Sequence, residues 1–280
     1  MTHVSLFTGI GGIDVAAEWA GFKTIAQVEQ NPYCIKVLER HWPDVPRWTD
    51  IREFPHVADT EGSNARQFKD GEGEPRREDS EGFGGRLRYE SRRCGEGGGS
   101  TKGIHALTSV TLVSGGFPCQ PFSQAGKRRG TDDDRFLWPE MLRVIREIEP
   151  RWVLAENVLG LLSLDGGVVF ETVLSDLESA GYATLPVVCP AAGAGAPHQR
   201  QRVFIVAHGT GSRLEGQQWA RHEGRGVGLA NGGWWLTEPD VGRVAAGVPH
   251  RVDRLRALGN AVVPQQVYPI LQAIAEVENE

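Results

Sequence analysis

The stretch Val110-Thr111-Leu112-Val113-Ser114-Gly115-Gly116-Phe117-Pro118-Cys119-Gln120-Pro121 decides the fold of this chain. It joins an apolar run to two glycines and then places one cysteine between two prolines. Open α/β sheets build active sites at such points, because a buried strand that ends in a tight turn exposes side chains at one edge of the sheet. Proline fixes φ at its own position and restricts the residue before it, so the Cys119 thiol has little conformational freedom. The stretch predicts a nucleophile at a sheet edge, and a buried structural cysteine is the alternative.

A second strand and glycine turn lie near the start of the chain. Val4–Phe7 has the apolar character of a buried strand, the glycine turn Thr8–Gly12 follows, and a helical pattern covers Ile13–Trp19. Glycines at a helix N-terminus allow the backbone to approach a nucleotide-like ligand closely. The next strand ends at Glu29, about twenty residues after the turn, where folds of this kind hold ribose hydroxyls. This region is predicted to bind a nucleoside cofactor, and a purely structural turn is the alternative.

The rest of the chain continues to alternate between apolar strands and amphipathic helices. Hydrophobic periodicity predicts helices over residues 33–41, 137–148, 168–180 and 265–275, and strands over residues 152–155, 184–188 and 203–206. Two polar clusters border these strands: Glu156-Asn157-Val158 follows one, and Gln199-Arg200-Gln201-Arg202 precedes another. The alternation of strands and helices predicts an α/β fold. The two polar clusters would lie at the ends of strands of its sheet.

Two segments depart from this pattern. Residues 58–105 are crowded with Gly, Glu and Arg, so they cannot bury enough apolar surface to offset the entropy of ordering, and we expect a disordered insertion there. Residues 208–247 are Gly-rich and irregular but contain Trp219, Trp234 and Trp235.

The overall composition limits the classes of function. A net charge of −6 over 280 residues argues against a generally basic nucleic-acid coat protein, although clustered positive charge can still bind DNA locally. The cysteines are far apart and form no Cys-x-x-Cys pair, so neither a metal site nor a disulfide framework is expected. The sequence has no signal peptide and no long apolar run, which predicts a cytoplasmic protein without membrane association.

Five motifs in this order resemble those of the DNA (cytosine-5)-methyltransferases. They are Phe7–Gly12, Gly116–Gln120, Glu156-Asn157-Val158, Gln199–Arg202 and Gly259–Val262. The resemblance covers nearly the whole chain apart from the insertion and residues 208–247. It implies an α/β, Rossmann-like S-adenosylmethionine-dependent methyltransferase fold with a small irregular recognition region.

The resemblance also implies four catalytic residues. The Cys119 thiolate would add to C6 of cytosine, Glu156 would hold a proton at the N3 edge, and Arg202 would bind O2. Arg200 would make a phosphate or positioning contact. The target base would have to be flipped out of the duplex to reach the thiol.

S-adenosylmethionine is the methyl donor that the resemblance implies. Phe7 would pack on its adenine, Glu29 would bind its ribose, and Asp50 would accept from the adenine amino group. The full set of expected cofactor contacts is Phe7, Gly9, Gly11, Gly12, Glu29, Gln30, Asp50, Ile51, Pro118, Asn260 and Ala261. Expected DNA contacts are Gln120, Ser123, Lys127 and Arg128.

The motifs divide the chain into parts with different expected roles. These are a cofactor-binding part (1–57), the insertion (58–105), a catalytic part of the same domain (106–207), a target-recognition region (208–250) and a returning C-terminal segment (251–280). Double-stranded DNA is the expected substrate of a monomeric enzyme, with a cognate restriction endonuclease as a further partner. A tRNA cytosine methyltransferase, a non-catalytic DNA-binding relative and a nicotinamide oxidoreductase are the alternatives; the last gives Cys119, Glu156 and Arg202 no joint role.

Three features depart from the family pattern. Ser5 stands where many members have an acidic residue, the recognition region is short, and the ninth motif is hard to recognise around residues 247–254. The last two concern sequence specificity rather than chemistry.

We predict that recognition of the target sequence depends on residues 208–247 and not on the insertion. Replacing residues 58–105 with a short Gly/Ser linker should leave the methylated sequence unchanged. Arg213→Ala, Arg221→Ala and Arg225→Ala should weaken or relax it, because arginines in this segment are suited to base contacts. Mapping methylcytosine for all variants tests this division, and a changed target in the linker variant alone would contradict it.

Overall fold

A computed structural model describes residues 1–54, 106–118, 136–210 and 251–280 of the chain. The predicted insertion, residues 211–250 of the predicted recognition region and the predicted nucleophile Cys119 lie outside the described residues. The same is true of the expected DNA contacts Gln120, Ser123, Lys127 and Arg128.

A seven-stranded sheet forms the centre of the fold, with strand order β3-β2-β1-β4-β5-β7-β6. The strands are β1 (Thr2–Leu6), β2 (Lys23–Val28), β3 (Arg47–Trp48), β4 (Leu112–Gly115), β5 (Trp152–Val158), β6 (Tyr182–Pro190) and β7 (Gln201–Gly209). Strands β1 to β5 are parallel, and β7 is antiparallel to both of its neighbours. The predicted α/β, Rossmann-like fold is confirmed.

Helices cover both faces of the sheet. They are α1 (Gly12–Trp19), α2 (Pro32–His41), α3 (Trp138–Ile148), α4 (Val168–Ser179), α5 (Arg251–Asn260) and α6 (Pro264–Asn279). Successive strand residues alternate between two cores: Val113 and Val153 pack with α3 and α4, whereas Leu112 and Leu154 pack with α1 and α6. Burial on both faces explains why these strands appear in the sequence as continuous apolar runs. None of the helices in the described ranges is long and apolar enough to cross a bilayer.

Strands β1 to β3 follow one another towards one edge of the sheet, and β4 then returns to the other side of β1. The strand order therefore has a switch point between β1 and β4. Leu6 lies opposite Gly115, so the glycine turn after β1 and the Gly116–Pro118 turn after β4 emerge next to each other. Ligand crevices in open α/β sheets form at such a switch point. The two turns that the sequence singled out therefore meet at one edge of the sheet.

The structure differs from the sequence prediction at α5, which no periodic pattern indicated. Val252, Leu255 and Leu258 on this helix are more than half exposed, whereas Ala257 is buried. Apart from Ala257, the side chains of residues 252–260 are exposed, so the helix lacks the buried apolar face from which amphipathic helices are predicted. The two-residue strand β3 was not predicted either, because it is too short to show a pattern. Other differences are at the ends of elements: β4 begins at Leu112 rather than Val110, and α6 extends to Asn279.

A buried polar network lies behind the first glycine turn. The Ser5 hydroxyl donates to Asp14 Oδ2 at 2.8 Å, and Gln27 Nε2 donates to Asp14 Oδ1 at 2.8 Å. Gln27 Oε1 in turn accepts from Arg47 Nε at 2.8 Å. Complete burial raises the pKa of Asp14 from 3.8 to about 6, against the opposing effect of its two side-chain donors. A buried acidic group therefore lies next to Ser5, contributed by α1.

Asp14→Asn should increase stability at alkaline pH but not at acidic pH. Because the folded state binds the Asp14 proton more tightly than the unfolded chain does, stability present below pH 3.8 is lost as pH rises through about 6. The loss approaches about 3 kcal/mol, from a shift of about two pKa units. An asparagine can still accept from Gln27 and donate to Ser5. Urea unfolding at about pH 4 and about pH 8 measures the difference.

The exposed carboxylate of Glu171 on α4 provides a matched control. Glu171→Gln removes the same charge from the surface and should leave stability nearly unchanged at both pH values. An equal effect of Asp14→Asn at the two pH values would show that Asp14 does not titrate between them.

Candidate active site

A cavity of about 740 Å³ lies over the carboxyl ends of β1, β2, β4 and β5. Ten of the eleven expected cofactor contacts line it: Phe7, Gly9, Gly12, Glu29, Gln30, Asp50, Ile51, Pro118, Asn260 and Ala261. Glu156 and Arg202 line it as well. Within the described ranges, no group of three or more His, Cys, Asp or Glu side chains could hold a metal ion.

Gly11 is the expected cofactor contact that does not line the cavity. Its φ of 87° is left-handed, and a Cβ there would lie 2.5 Å from the ring of Trp42. Trp42 follows α2, is buried and donates from its indole nitrogen to Glu18 on α1. Gly11 therefore allows an indole to support the turn from behind. This role of Trp42 was not predicted from the sequence. The only local signal is that Trp42 is an apolar residue directly after a predicted helix.

Gly12 is required by a second close approach. A Cβ at Gly12 would lie 2.3 Å from the carbonyl oxygen of Val262, on the segment between α5 and α6. Only glycine permits this contact between backbones. The glycine turn thus lies directly against the segment that carries Asn260 and Ala261, and the two together form one wall of the cavity.

Glu29 connects the glycine turn to the start of α2. Its Oε2 accepts from Gly9 N at 2.7 Å, and its Oε1 accepts from Asn31 N at 2.7 Å. A carboxylate oxygen can accept more than one hydrogen bond, so ribose hydroxyls can still bind. Asn31 caps α2, because its Oδ1 accepts from Tyr33 N at 2.9 Å and from Cys34 N at 3.3 Å.

Asp50 begins the short helical turn Ile51–Glu53. Its Oδ1 accepts from Arg52 N at 3.0 Å, and its Oδ2 lies 3.7 Å from Arg52 Nη1. The carboxylate also lines the cavity. A local capping contact and the predicted adenine contact therefore involve the same side chain.

Glu156 and Arg202 form an ion pair where β5 ends and β7 begins. Arg202 Nε lies 2.8 Å from Glu156 Oε1, and Glu156 is 8% exposed. Burial raises the pKa of Glu156, while the charges of Arg202 and Arg200 oppose the rise. Because β7 is antiparallel, its first residues lie at the edge where β5 ends. The sheet therefore brings together two motifs that are more than forty residues apart.

The turn that leads to Cys119 is held against the Glu156 side chain. A Cβ at Gly116 would lie 2.9 Å from Glu156 Oε2, so the backbone directly faces the carboxyl group. Asn157 Nδ2 donates to the carbonyl of Phe117 at 3.0 Å, two residues before Cys119. Asn157 thus fastens β5 to the chain that delivers the predicted nucleophile.

Arg200 does not line the cavity. Its Nη2 donates to the carbonyl of Gly259 at 2.9 Å and to that of Ala261. Its φ of 34° is unusual for a residue with a side chain. Of the two roles expected from the sequence, a phosphate contact or a positioning contact, these hydrogen bonds favour the second.

Comparison with known proteins agrees with this geometry. The family model described as C-5 cytosine-specific DNA methylase matches residues 1–61 and 96–224. The chain belongs to the C-5 cytosine-specific DNA methylase family. The internal gap of this match, residues 62–95, lies within the predicted insertion, and the match ends at residue 224.

Named relatives extend the similarity. The methylase is 32% identical over 222 residues to the type II methyltransferase M.AquIA of a Picosynechococcus species, covering 76% of this chain and 73% of that protein. It is 38% identical over 229 residues to the type II methyltransferase M.AgeI of Thalassovita gelatinovora, covering 82% of this chain and 44% of that protein. The chain therefore spans most of one relative and less than half of the other. The predicted assignment as a DNA (cytosine-5)-methyltransferase is confirmed at the level of the family.

Solved structures support the fold. DNMT2 of Spodoptera frugiperda matches with a TM-score of 0.51 at 16% identity, covering 76% of this chain and 51% of that one. Dnmt2 of S. pombe matches with a TM-score of 0.50 at 17% identity, covering 75% of this chain and 51% of that one. At these identities the likeness concerns the fold alone.

Glu29→Ala should weaken binding of S-adenosylmethionine about tenfold or more, because each charge-assisted hydrogen bond to ribose contributes very roughly 1.5–3 kcal/mol before compensation. DNA binding should change little. Titration calorimetry with S-adenosylmethionine measures the affinity. The control is Glu39→Ala, which removes an exposed carboxylate from α2. Equal affinities of Glu29→Ala and Glu39→Ala would exclude the ribose contact.

Proposed function

We propose that this methylase transfers a methyl group from S-adenosylmethionine to C5 of a cytosine flipped out of duplex DNA, through a covalent adduct of Cys119 at C6. The observation that carries the proposal is the buried Glu156–Arg202 pair beside Gly116. It places an acidic group and a cation next to the turn that leads to the cysteine, at the end of a cavity suited to a nucleoside cofactor.

The residues of the cavity fit S-adenosylmethionine. Its volume of about 740 Å³ lies within the usual range for cofactor pockets. Glu29 would hold the ribose, Phe7 would pack on the adenine, and the backbone at Gly9 would face the amino-acid part. A Cβ at Gly9 would meet nothing within 4 Å, so ligand atoms can approach this backbone. When bound, the cofactor supplies an electrophilic methyl group.

Cytosine C5 is a weak nucleophile, so Cys119 must first activate it. The thiolate forms an S–C6 bond, and the electron pair of the C5–C6 double bond moves into the ring. Glu156 supplies a proton at N3, and Arg202 binds O2, so the charge that develops in the ring is compensated. C5 then takes up the methyl group as the bond between that methyl and the cofactor sulfur breaks, which leaves S-adenosylhomocysteine. Water takes the C5 proton, the S–C6 bond breaks to restore the C5–C6 double bond and release the thiolate, and the N3 proton returns to Glu156.

The burial of Glu156 suits this role. Desolvation raises the pKa of Glu156, which keeps the protonated, donating form accessible at higher pH than for an exposed glutamate. Arg202 opposes this shift, so the position of the arginine sets how readily Glu156 holds its proton. The reaction rate should therefore fall as pH rises through the pKa of Glu156.

The names of the relatives support a wider setting for the enzyme. M.AquIA and M.AgeI are named as type II methyltransferases, which favours duplex DNA as the substrate and a cognate restriction endonuclease as the partner. We infer a monomeric enzyme that works in the cytoplasm, where that DNA is accessible.

Cys119→Ser should lower methyl transfer by several orders of magnitude and leave cofactor binding intact, because a hydroxyl is a far weaker nucleophile than a thiolate. The assay measures transfer from labelled S-adenosylmethionine to unmethylated duplex DNA and, in parallel, to total tRNA. Cys189→Ser is the matched control and should remain active. DNA containing 5-fluorocytosine should trap an adduct at Cys119.

Two outcomes would contradict the proposal. An adduct at Cys34, Cys94 or Cys189 would assign the nucleophile elsewhere. Methylation of tRNA without methylation of DNA would assign a different substrate to the same fold.

A further inference from the structure

The side chain of Gln266, on the first turn of α6, is buried close to the active site. It is 3% exposed, and its Nε2 donates to the carbonyl of Cys189 and, at 2.9 Å, to that of Arg200. Its Oε1 is buried without a partner among the described residues. A buried, half-satisfied amide costs free energy that an apolar side chain of the same length would avoid. Packing alone therefore does not explain a glutamine at this position.

The two carbonyls that Gln266 binds lie at the end of the β6–β7 hairpin where residues 191–200 connect the two strands. Cys189 is paired with Arg202, and Pro190 is paired with Gln201. Pro190 has no N–H group to donate across the hairpin, and the next residue, Ala191, donates its N–H to the carbonyls of Gln199 at 2.7 Å and Arg200 at 3.3 Å. The Gln266 amide adds a donor from α6 that reaches the carbonyls of Cys189 and Arg200 together. It therefore braces this end of the hairpin next to Arg202, whose Nε lies 2.8 Å from Glu156 Oε1.

Gln266 connects α6 to the hairpin, and Arg200 makes a second connection from the hairpin to the region around the end of α5. The Arg200 guanidinium donates to the carbonyl of Gly259, in the last turn of α5, and to that of Ala261, just after α5. The left-handed φ of Arg200 is a strained conformation that the surrounding contacts must maintain. The same segment forms the wall of the cofactor cavity and touches Gly12 through Val262. Gln266 and Arg200 therefore both link the hairpin to the cofactor wall, which is the side of the cavity formed by residues 260–262.

We propose that Gln266 is a positioning residue that braces the hairpin at Arg200, holds Arg202 against Glu156 and ties this pair to the cofactor wall. The inference rests on the proposed function, because Arg202 and Glu156 are the groups that would bind the target cytosine. Gln266 does not line the cofactor cavity. Its loss should therefore slow the chemical step more than it weakens cofactor binding.

Gln266→Met tests the proposal, because methionine keeps the length of the side chain and removes its donors. The single-turnover rate on unmethylated duplex DNA of mixed sequence should fall about tenfold or more, as expected when reacting groups are misplaced. The dissociation constant for S-adenosylhomocysteine should stay within about threefold of the wild-type value. Gln265→Met is the matched control: it makes the same change on the same helical turn, at a partly exposed side chain.

The pH dependence of the rate separates positioning from a loss of stability. With Arg202 loosened, the Glu156 carboxylate loses part of its stabilisation, so the alkaline limb of the pH–rate profile should move to higher pH. A purely structural role would lower the melting temperature and the active fraction, and it would leave the rate per active site and the alkaline limb unchanged.

Each remaining outcome has a distinct meaning. Wild-type enzyme that methylates no DNA would overturn the proposed function itself. Active wild-type enzyme, with Gln266→Met equal to it in rate per active site and in pH profile, would overturn the positioning role alone. If Gln266→Met does not fold, amide exchange of the wild type takes its place. S-adenosylhomocysteine should then slow exchange at residues 199–202 as well as 259–262, and protection confined to 259–262 would overturn the proposal.

Discussion

The adjacent ends of β1 and β4 are the constraint on which the rest of the site depends. Leu6 faces Gly115 in the parallel ladder, and a Cβ at Gly115 would lie 3.0 Å from the Leu6 carbonyl. The buried His3 ring reinforces this pairing, since its Nε2 lies 2.7 Å from Ser114 Oγ and its Nδ1 lies 2.9 Å from Thr24 Oγ1. Burial lowers the pKa of His3 to about 3, so the ring is neutral at physiological pH. A fixed register at this point brings the cofactor turn and the turn before Cys119 to one cavity.

Two carboxyl groups within that cavity have opposite surroundings. Glu29 accepts from two backbone N–H groups, which hold an oxygen acceptor at the end of β2. Glu156 is buried at the end of β5, with its proton affinity set by burial against the charge of Arg202. The first environment suits the acceptance of hydroxyl donors, and the second suits the holding of a proton. One sheet edge thus provides two chemically different glutamates.

The sequence predicted these features to very different degrees. Apolar runs and glycine turns identified every longer strand and most helices, because burial on both sides of the sheet leaves a clear pattern. Glu29, Glu156 and Arg202 were found because they border such strands. By contrast, Trp42 and Gln266 act through contacts between elements distant in sequence, and α5 exposes its apolar residues. Neither local periodicity nor a short motif predicts contacts between distant segments or an exposed apolar helix face. The direction of β7, which brings Arg202 to Glu156, likewise follows from chain topology and not from local sequence.

The contact between Gly12 and Val262 has a consequence for the order in which the enzyme is made. Ribosomes synthesise the glycine turn early, yet the cavity wall against it comes from residues about 250 positions later. Helix α6 also covers the α1 face of the sheet, through Val267, Leu271 and Ile274. A nascent chain that has reached only residue 258 therefore lacks the part of the cover on this face that α6 provides, and it lacks the Val262 wall of the cofactor cavity. Competence to bind cofactor arises late in translation, after the strands that carry the catalytic groups have already been produced.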